Sequence, residues 1–186
     1  MAFQDMAKNG AKTEGRRKED MLMHVEDTLE FCTFWVGGYL YGVEILDVRE
    51  INTETKLTRI FHAPDEVMGY VNLRGQIFLI LDLGLLMGYE KKTEILSSNR
   101  LVIFKPEVGE SFGVLVDRID DILDVPVSQF ELTNPSSGTG NGLKHSDVGI
   151  IKGVCKLGGK LLVVLDSRKI YASVESKLNL LNPAVA

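Results

Sequence analysis

The sequence contains one pattern twice, and this repeat limits the folds that the chain can adopt. Residues 69–82 combine two glycines with an apolar run that ends in Leu-Asp, and the same combination returns 84 residues later at residues 153–166. Upstream, the segment YGVEILDVREI of residues 41–51 is echoed 71 residues later by FGVLVDRIDDI of residues 112–122. The chain therefore contains two similar halves, each with a [Tyr/Phe]-Gly strand followed by an apolar Leu-Asp strand.

Short apolar segments separated by Gly, Asn and Pro dominate the chain from residue 29 onward, which is typical of short β-strands. Strands this short and this closely spaced favour small closed barrels. Two such barrels, each too small for a large core, are expected to share apolar surface. The sequence therefore predicts a mainly β protein of two packed barrels, with short helices at residues 83–87 and 167–172 and a boundary blurred across residues 100–150.

The N-terminal part of the chain and one internal segment are polar and contain few residues that could build a core. Residues 1–28, which include the mixed charge run RRKED, are predicted to form a flexible tail. The expected barrel domain covers residues 29–175, and a C-terminal tail covers residues 176–186. The Gly- and Ser-rich segment at residues 134–147 is predicted to be a mobile loop.

Composition excludes several classes of protein. Apolar residues make up 45% of the chain, but no apolar run is long enough to span a membrane. The formal net charge of −5 argues against general nucleic-acid binding, which requires a basic surface. The N-terminus lacks the apolar region of a secretory signal. Cys32 and Cys155 are far apart in sequence, so we expect two buried, reduced thiols in a cytoplasmic protein.

No enzyme signature is present in the sequence. GxSxG, HExxH, a Walker loop and paired CxxC are all absent, and the three histidines lie far from one another along the chain. Asp82 and Asp166 follow the two apolar strands, but they occupy the same place in each half. This repetition favours turn capping over an acid-base pair. We therefore predict no catalytic residues, no cofactor and no metal site.

A turn with a charged residue precedes the first apolar strand. Residues 77–81 form a continuous apolar run, which predicts a strand buried on both faces. Such a strand would hold the turn at Arg74 and Gly75 rigidly. In the second half the position of Arg74 is taken by Gly158, so the fold itself does not require an arginine there.

Four segments in the same order resemble the CheW family of bacterial chemotaxis coupling proteins. They are YGVEILDVREI, NLRGQIFLILDL, FGVLVDRIDDIL and IKGV with KLLVVLD, and they span roughly residues 29–174. The resemblance implies two SH3-like, five-stranded β-barrels without catalytic activity. It also implies a cytoplasmic adaptor that binds the cytoplasmic tip of chemoreceptors and the regulatory domain of the histidine kinase CheA. No nucleic acid and no direct membrane insertion are expected.

The resemblance also implies which residues contact partners. Six positions match the family's kinase and receptor surfaces: Val48, Glu50, Gly69, Leu73, Arg74 and Gly75. The seventh candidate is Ile119, which occupies the place of Val48 in the second half. Family members are expected to pair the arginine with the glutamate. Val48 and Ile119 either pack in the core or flank a groove between the barrels that suits a helical hairpin of the receptor.

Two other functions stay open at this point. A CheW-like scaffold can serve a pathway other than flagellar motility, such as one that drives pili. A small barrel can also bind nucleic acid, but it should then carry basic and aromatic residues along a groove, and these strands have few of either.

Overall fold

The computed structural model describes residues 27–90, 93–133 and 149–181. Their strands are β1 (Thr28–Val36), β2 (Tyr39–Glu44), β3 (Val48–Asn52), β4 (Val67–Leu73), β5 (Gln76–Asp82), β6 (Arg100–Phe104), β7 (Phe112–Val116), β8 (Arg118–Pro126), β9 (Phe130–Leu132), β10 (Ile151–Leu157) and β11 (Lys160–Leu165). The α-helices are α1 (Leu83–Leu86) and α2 (Ser167–Leu181), and single 3-10 turns cover Ile45–Asp47 and Val127–Gln129.

These strands form two sheets, which confirms the prediction of a mainly β protein. One sheet has the order β3-β6-β7-β5-β4 and the other has the order β8-β1-β2-β11-β10-β9. The two orders correspond strand by strand. In the six-stranded sheet β8, β1, β2, β11 and β10 are the repeat equivalents of β3, β6, β7, β5 and β4 in the five-stranded sheet. The sixth strand, β9, has a smaller counterpart in the other sheet, where Thr58 forms a single antiparallel bridge with Tyr70.

Each sheet contains strands from both halves of the chain. The [Tyr/Phe]-Gly strand β2 of the first half runs parallel to the Leu-Asp strand β11 of the second half, with Gly42 opposite Val164. Its equivalent β7 runs parallel to β5 of the first half, with Gly113 opposite Ile80. The mixing of the two halves therefore extends well beyond the predicted boundary region at residues 100–150.

Three apolar clusters form the core. The largest takes buried side chains from both sheets and therefore joins them. A second lies within the five-stranded sheet, and a third lies within the six-stranded sheet. This arrangement matches the expected sharing of apolar surface between two small units.

Strand β5 shows why its sequence is apolar at successive positions. Leu79 and Leu81 pack into the shared cluster, whereas Phe78 and Ile80 face the cluster of the five-stranded sheet. Successive residues of a strand point to opposite faces, so both faces of β5 are buried at these positions. Ile77 differs, because its side chain is 60% exposed, and the prediction of burial on both faces is wrong at this first position of the run.

The predicted chain ends are tested only in part. Residues 1–26 of the predicted N-terminal tail and the predicted loop at residues 134–147 lie outside the described residues. Helix α2 starts at Ser167 as expected but continues through Leu181. The predicted domain end at residue 175 therefore falls inside this helix. None of the helices in the described ranges is long and apolar enough to cross a membrane.

Candidate partner-binding site

The turn between β4 and β5 is a two-residue hairpin. Leu73 pairs with Gln76, and the two residues between them have positive φ angles, 53° at Arg74 and 85° at Gly75. Two consecutive positive φ angles define a type I′ turn, whose twist matches that of the flanking strands. The Asn72 side chain closes the turn, because its Oδ1 accepts a 2.9 Å hydrogen bond from the backbone N–H of Gly75.

Arg74 is an unfavourable residue for this backbone conformation. In the equivalent β10–β11 turn the same place is held by Gly158, with a φ of 47°. A residue with a Cβ atom costs roughly 1–2 kcal/mol in the left-handed region, and glycine does not bear this cost. The first turn therefore carries an arginine against the preference of its own backbone, which is a common mark of a functional position.

Arg74 pairs with Glu50, as the resemblance implied. Its Nη1 lies 3.6 Å from Oε2 of Glu50, and the exposed fractions of the two side chains are 86% and 24%. Glu50 belongs to β3 and Arg74 to the β4–β5 turn, so the pair connects the two edges of the five-stranded sheet. A largely exposed pair of this kind stabilises a fold by about 0–1 kcal/mol, which leaves most of the guanidinium available to a partner.

A second set of contacts joins β3 to β5 beside the same turn. Arg49 donates a hydrogen bond to Oε1 of Gln76, and its guanidinium carbon lies 5.3 Å from the centre of the Phe78 ring. Arg49 and Glu50 are neighbours on β3, and Gln76 lies two residues after Arg74. These contacts hold the turn against β3 and fix the position of the exposed arginine.

The second half lacks an equivalent charge pair. Asp121, which occupies the place of Glu50, exchanges hydrogen bonds with Thr33 through its backbone. Gly158, opposite in the turn, has no side chain to meet it. The asymmetry seen in the sequence is therefore also an asymmetry of surface charge.

Gly69 and Leu73, at opposite ends of β4, are both buried. A Cβ atom on Gly69, whose φ is 142°, would lie 2.3 Å from the carbonyl oxygen of Thr58. Gly153, its repeat equivalent, is equally crowded, since a Cβ atom there would lie 2.6 Å from the carbonyl oxygen of Glu131. The Leu73 side chain is buried in the core of the five-stranded sheet. Leu73 therefore anchors the turn that follows it, Gly69 allows the close approach of the Thr58 backbone, and direct contact of either residue with a partner stays a prediction.

Val48 and Ile119 share one cluster but not one sheet. Val48 pairs with Phe104 in the five-stranded sheet, and Ile119 pairs with Phe34 in the six-stranded sheet. Both side chains are half-buried against the shared cluster. Their predicted roles at the sides of a receptor groove stay predictions.

Two exposed apolar residues beside the turn were missed by sequence reasoning. Tyr70 of β4 and Ile77 of β5 are 44% and 60% exposed. A signal was present for Tyr70, because Tyr70 and Asn72 alternate with the buried Val71 and Leu73. Both residues add exposed apolar area to the β4–β5 hairpin that carries Arg74.

Asp82 and Asp166 cap helices, which confirms their predicted role. The carboxylate of Asp82 accepts a hydrogen bond from the N–H of Leu85 at the start of α1, and two more from the N–H and hydroxyl of Thr93. Asp166 accepts one from the N–H of Lys169 in the first turn of α2. None of these hydrogen bonds joins Asp82 to Asp166 or to another carboxylate.

In the described ranges the cysteines and potential metal ligands form no cluster. Within the described residues, no group of three or more His, Cys, Asp or Glu side chains is placed to hold a metal ion. Cys32 and Cys155 are buried free thiols. Burial raises the pKa of both thiols, and the nearby Glu131 carboxylate adds to the effect at Cys155. Such thiols are poor nucleophiles.

Comparison with known proteins assigns the family. The family model for the CheW-like domain matches residues 30–175. The chain is 30% identical over 149 residues to the chemotaxis protein CheW of Klebsiella aerogenes, covering 80% of this chain and 85% of that protein. It is 31% identical over 154 residues to the chemotaxis protein CheW of Treponema pallidum, covering 81% and 86%.

A solved structure has the same fold. The scaffolding protein TtCheW from Thermoanaerobacter tengcongensis superimposes with a TM-score of 0.64 at 24% identity, covering 75% of this chain and 89% of that chain. The family model and the two relatives show the family, and this structure shows the fold. The chain belongs to the CheW family.

Proposed function

We propose that this protein is a non-catalytic cytoplasmic adaptor that couples chemoreceptors to a CheA histidine kinase. Its partners are the cytoplasmic tip of the receptor and the regulatory domain of the kinase. The double-barrel unit of residues 29–175 carries the function, and the output of the pathway is either flagellar motility or another process such as pilus movement.

One observation supports this proposal above the others. Arg74 is 86% exposed and occupies a left-handed turn position that its repeat equivalent fills with glycine. Because the fold gains little from an arginine there, a partner is the best explanation for it. Arginine is also enriched among the residues that contribute most to binding at protein interfaces.

The surfaces available suggest several small contacts. The Arg74 turn, the Val48 and Ile119 region and the second sheet provide separate surfaces for kinase and receptor. Small contacts are individually weak, but an array that engages many at once gains stability from avidity. The adaptor then transmits the receptor's state by holding its partners in a fixed geometry.

Calorimetric titration of the full chain tests the proposal. The titrants are the regulatory domain of a CheA kinase and the cytoplasmic hairpin of a chemoreceptor. Arg74→Gly should weaken binding to at least one of them by about thirtyfold, or roughly 2 kcal/mol. Arg74→Lys should restore little, because an ammonium group cannot make the planar two-pronged contact of a guanidinium.

A charge-matched control separates a specific loss from a general one. Lys156→Ala removes a 75% exposed cation from the six-stranded sheet. It should leave nearly unchanged the binding of the titrant that Arg74→Gly weakens. Failure of the wild-type chain to bind either titrant would refute the proposed function. Equal loss in Lys156→Ala and Arg74→Gly would refute the assigned role of Arg74.

A further inference from the structure

The outer face of β1 and β8 carries two carboxylates without counterions. Glu30 and Asp124 lie directly opposite each other where the two strands pair, and both residues are exposed. Neither carboxylate forms an ion pair with any residue that the structure describes. Like charges at directly opposite positions destabilise a sheet, so the fold alone does not explain this pair.

Exposed apolar side chains lie beside these carboxylates. Ile122 lies two residues before Asp124 on β8 and is 58% exposed. Leu123, between them, packs against the cluster inside the six-stranded sheet, so Ile122 and Asp124 share the outer face. Val127, directly after β8, is 47% exposed. One acidic and apolar strip of the surface, which we name the outer strip, is therefore formed by Glu30, Ile122, Asp124 and Val127.

The chain enters the fold at one end of this strip. The backbone N–H of Val127 donates a 2.9 Å hydrogen bond to the carbonyl oxygen of Asp27, and Thr28 is the first residue of β1. Ile122 lies roughly 15 Å from Val127, at about 3.3 Å per strand residue. A chain reaches at most about 3.4 Å per residue, so the five residues before Asp27 are enough to span the strip.

The residues before β1 carry complementary side chains. Residues 21–25 read MLMHV, with four apolar side chains, and residues 16–18 read RRK. Glu19 and Asp20 separate the two groups. These residues lie outside the described part of the chain, but their composition offers what the outer strip requires, namely apolar groups and positive charge.

We propose that residues 16–25 dock on the outer strip of their own chain. The apolar residues 21–25 cover Ile122 and Val127, and the cations at residues 16–18 face the two carboxylates. A segment on a short linker meets its site at an effective concentration of about 1 mM, so a contact with a Kd of about 1 mM covers the strip about half of the time. The segment is therefore a reversible cover that another ligand can displace.

The cover lies next to a candidate partner residue. Ile119 precedes Ile122 by three residues on β8 and is one of the two residues expected at the receptor groove. A docked segment therefore competes with a receptor hairpin for this part of the surface. This consequence rests on the proposed adaptor function, whereas docking itself does not.

Energy transfer within the full-length chain tests docking. Trp35 is the single tryptophan and serves as the donor, and an acceptor dye is attached to Ala11→Cys. Cys32 and Cys155 are buried, so the dye labels only the new thiol. Docking should give efficient transfer at low salt and a marked decrease in about 1 M salt, which shortens the screening length to about 3 Å.

Charge exchange identifies the docking site. Arg16→Glu, Arg17→Glu and Lys18→Glu together should lower the ratio of docked to undocked chain by about tenfold. Glu30→Lys with Asp124→Lys should have the same effect. Combining both sets places opposite charges together again and should restore most of the transfer.

One apolar variant and a charge-matched control complete the set. Ile122→Ser removes an apolar contact and should also lower the transfer. Glu94→Lys with Glu107→Lys makes the same change of charge on exposed residues of the loops before β6 and β7, and it should leave the transfer unchanged. Circular dichroism melts establish that each variant is folded. Because Glu30 and Asp124 are exposed, the charge exchange remains informative even if Ile122→Ser unfolds.

Titration with a receptor hairpin tests the competition. The charge reversal at residues 16–18 should bind the hairpin about twofold more tightly than the wild type, because covering half of the chains doubles the apparent Kd. Equal affinity in the two proteins would refute the competition, whereas docking is judged by the transfer measurements.

Three results would overturn docking. The first is equal transfer in the wild type and in both charge-reversed variants. The second is a combined exchange that transfers no better than the single reversals, because general repulsion then explains the decrease. The third is a dimer in light scattering that disappears with the reversal at residues 16–18, which would place the segment on a second copy of the chain. A receptor hairpin that binds none of the proteins would instead refute the adaptor function, without changing the transfer results.

Discussion

The side chains of Glu50 and Arg74 join opposite edges of the five-stranded sheet across 3.6 Å. The six-stranded sheet lacks this pair because Gly158 takes the place of the arginine. The two sheets therefore share one backbone plan but differ in the charge that they present at equivalent turns.

The first prediction concerns the strain at Arg74. Arg74→Gly should leave the free energy of unfolding within about 1 kcal/mol of wild type, because relief of the left-handed conformation offsets loss of a surface ion pair. Arg74→Ala keeps the strain and loses the pair, so it should be about 1 kcal/mol less stable than Arg74→Gly. Urea denaturation measures both.

A control position should give the opposite order of stability for glycine and alanine. At Lys156, an exposed residue of β10, glycine should be less stable than alanine, because glycine loses more backbone entropy in a strand. If alanine is also the more stable substitution at Arg74, then the turn is not strained in solution.

The second prediction concerns Gly69, the buried glycine of β4. Gly69→Ala should destabilise the protein by about 3 kcal/mol or more, because its Cβ atom would lie 2.3 Å from the Thr58 carbonyl oxygen. Gly75→Ala meets no atom within 4 Å, so it should cost only the roughly 1–2 kcal/mol of a positive φ. Thermal melts of the two variants should differ by several degrees, and similar melting temperatures would show that Thr58 moves aside.

The third prediction uses two equivalent carboxylates with different surroundings. Asp82 is fully buried and accepts three part-buried hydrogen bonds, so Asp82→Ala leaves three half-buried donors without this acceptor, at about 1 kcal/mol each. Asp166 accepts one capping bond and remains partly exposed, so Asp166→Ala should cost about 1 kcal/mol. Equal losses of unfolding free energy in the two variants would contradict the assigned role of the Thr93 contacts.

The fourth prediction concerns alkaline pH. The folded pKa of Tyr171 is about 12, above its ordinary value near 10. The unfolded chain therefore releases this proton first, and the stability that depends on it is complete below pH 10 and declines as pH rises toward 12. Tyr171→Phe keeps a ring beside Phe112 but has no proton to lose.

Denaturation at several pH values measures this effect. Between pH 10 and 12 the unfolding free energy of the wild type should fall more steeply than that of Tyr171→Phe. Glu110→Gln removes one of the negative charges that raise the pKa of Tyr171. Its unfolding free energy should fall with pH at a rate between those of the other two proteins. Parallel curves for all three proteins would show that Tyr171 titrates normally.

The sequence predicted the repeated units but not how their strands pair. The two glycine turns and the two Leu-Asp strands are local patterns, and local patterns show which faces are buried. Strand partners are set by contacts between distant segments, so no local pattern reveals that Gly42 faces Val164 rather than Ile80. The halves also look alike, which makes either pairing compatible with the same sequence.

The site was predicted in part for similar reasons. The exchange of Arg74 for Gly158 is visible in the sequence, whereas its pairing with Glu50 came from the family resemblance. Ile77 was wrongly expected to be buried because a short apolar run does not show where burial begins. The longer helix α2 was detectable, since the buried residues Ile170 and Val174 are spaced by one helical turn.

The parallel pairing of β2 with β11 and of β5 with β7 bears on the origin of such a chain. A polypeptide with only one of the two repeats would have a Leu-Asp strand without its parallel neighbour. Two copies of that shorter polypeptide would complete both sheets by exchanging two strands each, the [Tyr/Phe]-Gly strand and the strand before it, as β1–β2 and β6–β7 are exchanged here. The present architecture is therefore the one that a strand-swapped homodimer would have if a linker joined its two subunits.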